Sequence, residues 1–314
     1  MELRHLRYFL AVAEELNFRR AAERVGIAQP PLSSQIHDLE AELGVKLFRR
    51  NPRGVALTEA GHAFLSEVPA VFERLAHAVH LARRGGRGEV GQLRVGYTGS
   101  TAFNEIVPEA LREFRRAYPD VELTLAELNS LQLLDQLHRQ RLDAVFIRPG
   151  PEPTPGTTLL PLPSESMVVV VPAEHRLAAR YAIELHELAG EPLVMFSRAL
   201  GPSLYDAVIG ACREAGFEPV IRQIAPQITS IANLVAVELG VSIVPVRTAN
   251  AAMAGVRYLP IKGIAPVARL GLATRTDDRS VITGNFVACV RRAARPRPAA
   301  AAAAAGPDAT AAPR

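Results

Sequence analysis

Only two cysteines, Cys212 and Cys289, occur in the 314 residues. That is too few for a disulfide framework or a cysteine metal site, and both read as packed thiols in a reducing compartment. No stretch reaches about 18 uninterrupted apolar residues, so no membrane-spanning helix is expected. The opening Met1–Arg7 (MELRHLR) lacks the apolar core of a signal peptide, and a cytoplasmic location is the expectation. Catalytic signatures are also missing. There is no Gly-x-Ser-x-Gly and no Gly-Lys-Ser/Thr phosphate loop, and Gly96–Gly99 (GYTG) is not a dinucleotide fingerprint. Asp277 and Asp278 stand between Arg275 and Arg279 in what reads as a solvated turn. His77 and His80 lie one turn apart on a helical stretch, but no third ligand is near, so they read as a solvated face. With neither a nucleophile–base pair nor a metal or cofactor constellation, no enzyme activity and no cofactor are expected.

What is present is organised around Phe18–Leu39. Ala21, Ala22 and Val25 recur at helical spacing and make a small apolar face. Gly26 follows where a left-handed C-terminal residue belongs. Pro30 and Pro31 open a second helix, in the first turn where amides lack intrahelical partners anyway. Leu32, Ile36 and Leu39 form its buried stripe. Gln29, Ser33, Ser34 and His37 lie opposite, and these neutral hydrogen-bonding side chains suit base edges. Together they predict a helix-turn-helix.

An amphipathic helix is expected before it, over residues 2–15, with Leu3, Leu6, Phe9, Leu10 and Ala13 on one face. After it, Val45–Phe48 reads as a strand, Asn51–Gly54 as a turn and Val55–Leu57 as a returning strand, which makes a wing. Basic residues collect around this unit: Arg19, Arg20 and Arg24 before the polar helix, Arg49, Arg50 and Arg53 at the wing. Overall charge is only +4 and the pI about 9.4, so position carries the argument. Arginines flanking a polar helix suit phosphates, and Arg53 at a loop tip suits a minor groove.

Thr58 is placed to cap a long helix to about Arg84, roughly 26 residues or about 39 Å. Phe64, Val68, Val71, Leu75, Ala78 and Ala82 alternate at spacings of four and three, a coiled-coil seam that needs a partner, most simply a second copy. Pro69 is an oddity there, since an interior proline loses a hydrogen bond and tends to kink a helix. Arg83–Gly88 (RRGGRG) reads as a flexible hinge.

Beyond it strands and helices alternate. Strands are expected at 93–97, 121–128, 143–148, 166–172, 192–196, 219–224, 241–244 and 267–274. Helices are expected from the Thr98–Thr101 loop to Tyr118, and near 130–140, 203–215, 228–239 and 281–294. That alternation predicts parallel-type sheets with helices on both faces. Ligands in such sheets bind beyond the carboxyl ends of strands. Ser100 and Thr101, and then Asn129 and Ser130, start helices at that edge, where hydroxyls and helix amides suit an anion. Arg148 ends the third strand, where an unpaired charge would be costly and a ligand carboxylate would complement it. A small organic acid is the expected ligand. The tail from 296, with its alanine run Ala299–Ala305, reads as disordered.

These motifs resemble those of the LysR-type transcriptional regulators from Met1 to about Ala294. The most specific are Leu6–Glu14 (LRYFLAVAE), Ala21-Ala22, Ala28–Ser33 (AQPPLS), Leu39–Gly44 (LEAELG) and Leu57–Gly61 (LTEAG). The opening and the Ile27–Ser33 segment look closest to regulators of benzoate, muconate and chlorocatechol breakdown. The resemblance implies an α/β protein: a winged helix-turn-helix over 1–58, a dimerising linker helix and hinge over 59–90, and an effector domain of periplasmic-binding-protein type over 91–295. The effector domain would have lobe I at about 91–162 and 267–295 and lobe II at about 163–266. It implies operator DNA, an organic-acid inducer, RNA polymerase and further copies of the chain, in a dimer or tetramer, as partners, and an activating role. DNA contacts would fall on Gln29, Pro30, Ser33, Ser34, Arg50 and Arg53. Inducer contacts would fall on Ser100, Thr101, Ser130, Arg148, Leu204 and Ile228. Ser34 departs from the arginine usual in that subgroup, and Pro69 has no obvious family precedent. A solute-binding protein would share the two-lobed part but lack the helix-turn-helix, and an enzyme fused to a DNA-binding domain would need the catalytic constellation that is missing.

Overall fold

The computed structural model describes residues 1–51, 54–251 and 253–295. The chain divides into two compact units, Met1–Arg84 and Gly85–Arg314. The expected tail from 296 lies outside the described residues.

The first unit begins with α1 (Leu3–Glu15), α2 (Phe18–Val25) and α3 (Gln29–Leu43). Asn17 caps α2 by accepting from the Arg19 and Arg20 amides at 2.9 and 3.2 Å. Gly26 ends it at φ +73°, and the Ile27 amide donates back to the Ala22 carbonyl, the paired-bond closure that a left-handed residue allows. The core gathers Phe9, Val12, Ala21, Leu32, Leu39 and Leu47.

The wing is β1 (Phe48–Asn51) against β2 (Gly54–Leu57), antiparallel. It starts three residues later than the expected strand at Val45. The reason is Glu40, a buried carboxylate on α3. Its Oε1 accepts from the Leu47 and Phe48 amides at 2.9 and 3.1 Å, and its Oε2 pairs with Lys46. Lys46 and the Leu47 amide are thereby held by the Glu40 side chain, and the Val45 amide by the Glu40 carbonyl at 3.2 Å, outside the ladder. Asn51 and Gly54, the ends of the expected turn, pair in the ladder, and the two residues between them lie outside the described residues.

The long helix α4 runs Glu59–Gly86 with Pro69 inside it, and Thr58 caps it through the Gly61 amide at 3.0 Å. Its seam is split. Phe64 and Val68, with Phe72 beside them, pack onto the core of the first unit, whereas Val71, Leu75, Ala78 and Ala82 stay exposed. The expectation that the whole seam needs an outside partner is therefore corrected for its first turns.

The second unit has β3 (Gly91–Tyr97), α5 (Ile106–Ala117), β4 (Val121–Glu127), α6 (Ser130–His138), β5 (Ala144–Ile147) and the 16-residue β6 (Thr157–Pro172). Then come β7 (Ile183–Glu184), β8 (Pro192–Phe196), α7 (Pro202–Glu214), β9 (Val220–Ala225), α8 (Ile231–Ala236), β10 (Ser242–Pro245), β11 (Val256–Lys262), β12 (Val267–Arg275) and α9 (Val281–Ala293). The large sheet has the order β4-β3-β5-β12-β6-β11-β7, with β10 also on β6, and β8 pairs with β9. It is two-lobed because β6 and β12 are shared. The first half of β6 pairs with β12 beside the core of Leu93, Phe114, Phe146, Leu272 and Phe286. The second half pairs with β10 and β11 inside a separate core of Met167–Val171, Leu193–Phe196 and Ile243.

The expectation of parallel sheets holds for β3, β4 and β5, but β12 and β6 run antiparallel to their neighbours. The strand expected at 166–172 is twice as long because it crosses between lobes. The helix expected at 228–239 is a short 3-10 turn followed by the six-residue α8. Strands β7 and β11 were not anticipated. Burial settles the cysteines, since both thiols are free and interior.

Candidate functional site

In the first unit, α3 carries the predicted DNA-reading face. Leu32, Ile36 and Leu39 point into the core, which leaves Gln29, Pro30 and Ser34 exposed and Ser33 half-buried. His37 is exposed too, with Lys46 Nζ 3.4 Å from its Nδ1. The preceding arginines are less free than their spacing suggested. Arg19 pairs with Glu23, Arg20 with Glu15, and Arg24 with Glu14 and Glu15. Such exposed pairs contribute little, about 0–1 kcal/mol, and exchange readily, yet they lower the positive charge beside α3. Arg49 is exposed on β1. The backbone of Arg50 lies in β1, and Arg53 lies outside the described residues.

In the second unit, a cavity of about 240 Å³ opens between the lobes. That is about eight water volumes and below the size of a drug-sized pocket, so it suits a small ligand. One wall is Thr98, Gly99 and Ser100 after β3, with Glu127–Ser130 and Gln132 after β4. The other is Phe196, Leu200, Gly201, Leu204, Gln227 and Ile228. The floor is Arg148 after β5. Five of the six expected inducer residues line it: Ser100, Ser130, Arg148, Leu204 and Ile228.

Thr101 does not. It is wholly buried, and its hydroxyl donates to the Thr98 carbonyl at 2.9 Å and accepts from the Thr98 amide at 3.1 Å. Helix α5 begins only at Ile106, whose amide is taken by Asn104 Oδ1 at 3.0 Å. Ser100 and Thr101 therefore do not stand at the start of this helix, where the sequence pattern places them. The turn formed by Thr98–Thr101 consumes the hydroxyls that the sequence offered to an anion.

The second helix start fits. Asn129 accepts from the Gln132 amide at 2.9 Å, and Gln132 Oε1 returns a bond to the Asn129 amide at 3.3 Å, a reciprocal capping box. The Ser130 and Leu131 amides have no intrahelical acceptor. The Ser130 side chain is buried at the cavity wall and forms no hydrogen bond among the described residues.

Arg148 differs most from expectation. Its charge needs no ligand, because the fold supplies a partner. Its Nη2 donates to Glu165 Oε1 at 2.6 Å and to the Ser100 carbonyl at 3.0 Å. Its Nε donates to Ser100 Oγ at 3.2 Å, and Nη1 reaches the Ala268 and Arg269 carbonyls at 3.3 and 3.2 Å. All five donors are engaged. Burial pushes the guanidinium below its usual range, and the Glu165 charge opposes that shift. Arg148 thus fastens the cavity floor to β6 and to the irregularity in β12 between Ala268 and Leu270. Glu165, Glu127, Phe196, Leu200 and Gln227 had no readable signal, since each reaches its place through the crossing of β6 or a loop whose course only the fold sets.

A winged helix-turn-helix followed by a two-lobed α/β domain with an interlobe cavity defines a ligand-responsive DNA-binding regulator. The chain belongs to the LysR family. Residues 3–62 match the bacterial regulatory helix-turn-helix protein model, lysR family, and residues 86–295 match the LysR substrate binding domain. It is similar to HTH-type transcriptional regulator YnfL of Escherichia coli (strain K12), 40% identical over 294 residues, 91% of this chain and 96% of the relative. It is also similar to the Hca operon transcriptional activator HcaR of the same strain, 37% identical over 291 residues, 93% and 97% of the two chains. Among solved structures, full-length CbnR complexed with its target DNA matches with a TM-score of 0.81 and 31% identity, over 94% of this chain and all of that one. The chain is accordingly a LysR-type DNA-binding transcriptional regulator and not an enzyme. No helix among the described residues is long and apolar enough to cross a membrane.

Proposed function

We propose that the chain is a cytoplasmic transcriptional activator that responds to a small aromatic-derived or dicarboxylic acid bound between its effector lobes. The observation that carries this reading is the interlobe cavity with the start of α6 in its wall. Two uncapped amides and an unengaged serine hydroxyl there form an anion seat of the kind helix N-termini provide. The relation to HcaR, named for activating an operon, supports the activating role and a working contact with RNA polymerase.

The working division is a DNA-binding segment over 1–58, a dimerising helix and hinge over 59–90 and the effector domain over 91–295. Gln29, Pro30, Ser33 and Ser34 read the major groove, and Arg50 and Arg53 hold the backbone and minor groove. The relation to CbnR, solved with target DNA, supports this. Paired copies set two recognition helices on half-sites about 34 Å apart or a multiple of that. Acid in the cleft favours one arrangement of the lobes, and a preference of about 5–150-fold between two states suffices for regulation.

A thermal-shift screen of aromatic and dicarboxylic acids on the full chain tests this. A stabilising acid whose effect disappears in Ser130→Leu, with circular dichroism unchanged, is expected. Acids that stabilise both proteins equally place the ligand elsewhere and reject the cleft.

A further inference from the structure

Most polar groups in the cleft wall are already engaged inside the protein. The Thr98 and Ser100 hydroxyls bond each other at 3.2 Å. Asn129 Oδ1 and Gln132 Oε1 close the capping box. Arg148 is saturated and its charge is balanced by Glu165. Among the described residues, three lining side chains form no hydrogen bond: Ser130, Gln227 and Glu127.

Glu127 is the telling one. It ends β4 next to the start of α6, and its carboxylate lies over the Thr98–Thr101 turn. A Cβ at Gly99 would stand 2.8 Å from Glu127 Oε1, so the glycine leaves the space the carboxylate occupies. It is the one lining charge without an ion-pair partner among the described residues. An ionised carboxylate only accepts hydrogen bonds, and it repels a second anion while drawing a donor. The cleft therefore presents donors at Ser130 and the first-turn amides of α6, and a bare acceptor three residues earlier in the chain.

We infer that Glu127 selects the effector's chemistry, so that the cleft takes a small acid that also carries a hydroxyl or amino donor and discriminates against the same acid without one. This rests on the small-acid reading of the cleft and adds the second functional group. The carboxylate sits at α6, the donor bonds Glu127, and Arg148 takes no direct part in recognising the acid.

Matched probes test it by titration calorimetry on the full chain: benzoate against 3-hydroxybenzoate and 3-aminobenzoate, and butyrate against 3-hydroxybutyrate and 3-aminobutyrate. Wild-type protein is expected to bind the donor-bearing member of at least one series about tenfold or more tightly. In Glu127→Gln that preference should fall to about twofold or less, chiefly because the bare acid gains. At neutral pH the arylamine of 3-aminobenzoate is an uncharged donor and the ammonium of 3-aminobutyrate a cationic one, so the two series distinguish neutral from cationic donors, and a preference for either supports the inference. Equal binding of bare and substituted acids, or a preference that survives Glu127→Gln, overturns it while leaving the acid site standing. Binding that Ser130→Leu does not disturb, or no binding by any probe, overturns the acid site and the inference with it.

Discussion

Arg148 and Glu165 form an interior ion pair at 2.6 Å, both side chains 3% exposed, that joins the end of β5 to the crossing strand β6 across the intervening β12. Glu165 Oε2 has no hydrogen-bond partner among the described residues, so the pair is not a fully satisfied network there. Breaking it leaves a bare charge in the core, at a cost of about 3–5 kcal/mol. Arg148→Ala and Glu165→Ala should each lower the unfolding free energy of the effector domain by that much, read as a fall in the urea midpoint at unchanged slope. The double change Arg148→Met with Glu165→Leu should recover most of it, since volume-matched apolar replacements of buried pairs are often neutral. An arginine kept only for a ligand would behave otherwise, with native stability and a lost effector response. A near-native midpoint for Arg148→Ala would show that the pair is not structural.

Gly61 fixes how closely α4 approaches the wing. A Cβ there would stand 2.1 Å from the Leu47 carbonyl oxygen, which is backbone and cannot swing aside. Gly61→Ala should therefore destabilise the first unit by about 1–3 kcal/mol, the usual cost of overpacking. Thermal melts of the variant read this. An unchanged midpoint would mean that the helix start shifts freely.

Helix-turn-helix, wing and linker were legible because local rules set them: the Asn17 cap, the left-handed Gly26, the first-turn prolines and the Thr58 cap. The effector domain was legible as alternating strands and helices, and Ser130 was found because an Asn-Ser pair before an apolar run is a helix start. The role of Arg148 was half visible. That its charge required a partner followed from the apolar run before it, but the partner stands 17 residues on, in a strand read as half its length. Thr101 misled because its hydroxyl satisfies its own turn. Nothing in the pattern around Glu127 shows that this exposed strand end also borders a cavity, since that depends on where the Thr98–Thr101 turn comes to rest.

Cys212 and Cys289 should be inert in the folded chain. Burial pushes the Cys212 thiol up to about 11, with the nearby Glu218 adding to it, and burial also raises Cys289. At pH 8 roughly one Cys212 in a thousand is thiolate, and the thiolate is the reactive form. A chromogenic disulfide reagent should find no fast thiol in native protein and two after denaturation. Because the folded thiols hold their protons more tightly than unfolded ones, their contribution is complete below about pH 9. It is lost as the pH rises towards 11. Rapid native labelling at pH 8 would contradict this.

The open part of the α4 seam should hold copies of the chain together. Val71, Leu75 and Val79, four residues apart along one helix, are each about two-fifths exposed, and the exposed Ala78 and Ala82 beside them extend one apolar stripe of the kind that marks an interaction surface. Leu75→Glu places a charge in that stripe without touching Phe64, Val68 or Phe72, which belong to the unit's own core. Sedimentation should show monomers for the variant and a larger assembly for the parent, with equal helix content. An intact assembly would move the interface elsewhere.

Ser34 lies exposed on α3, one residue beyond the half-buried Ser33. A serine there offers one short hydroxyl, whereas an arginine would bring a fork suited to guanine. The neighbouring arginines Arg20 and Arg24 are held by glutamates, so they do not supply that reach. Ser34→Arg should therefore change base preference rather than only strengthen binding. In a selection on randomised half-sites, one position should move towards guanine by about 1–3 kcal/mol, or roughly 5–150-fold. A phosphate contact would instead raise affinity uniformly and steepen the salt dependence by about one counterion. If affinity rises evenly across sequences, position 34 faces the backbone. If neither preference nor affinity moves, the helix does not present this residue to DNA at all.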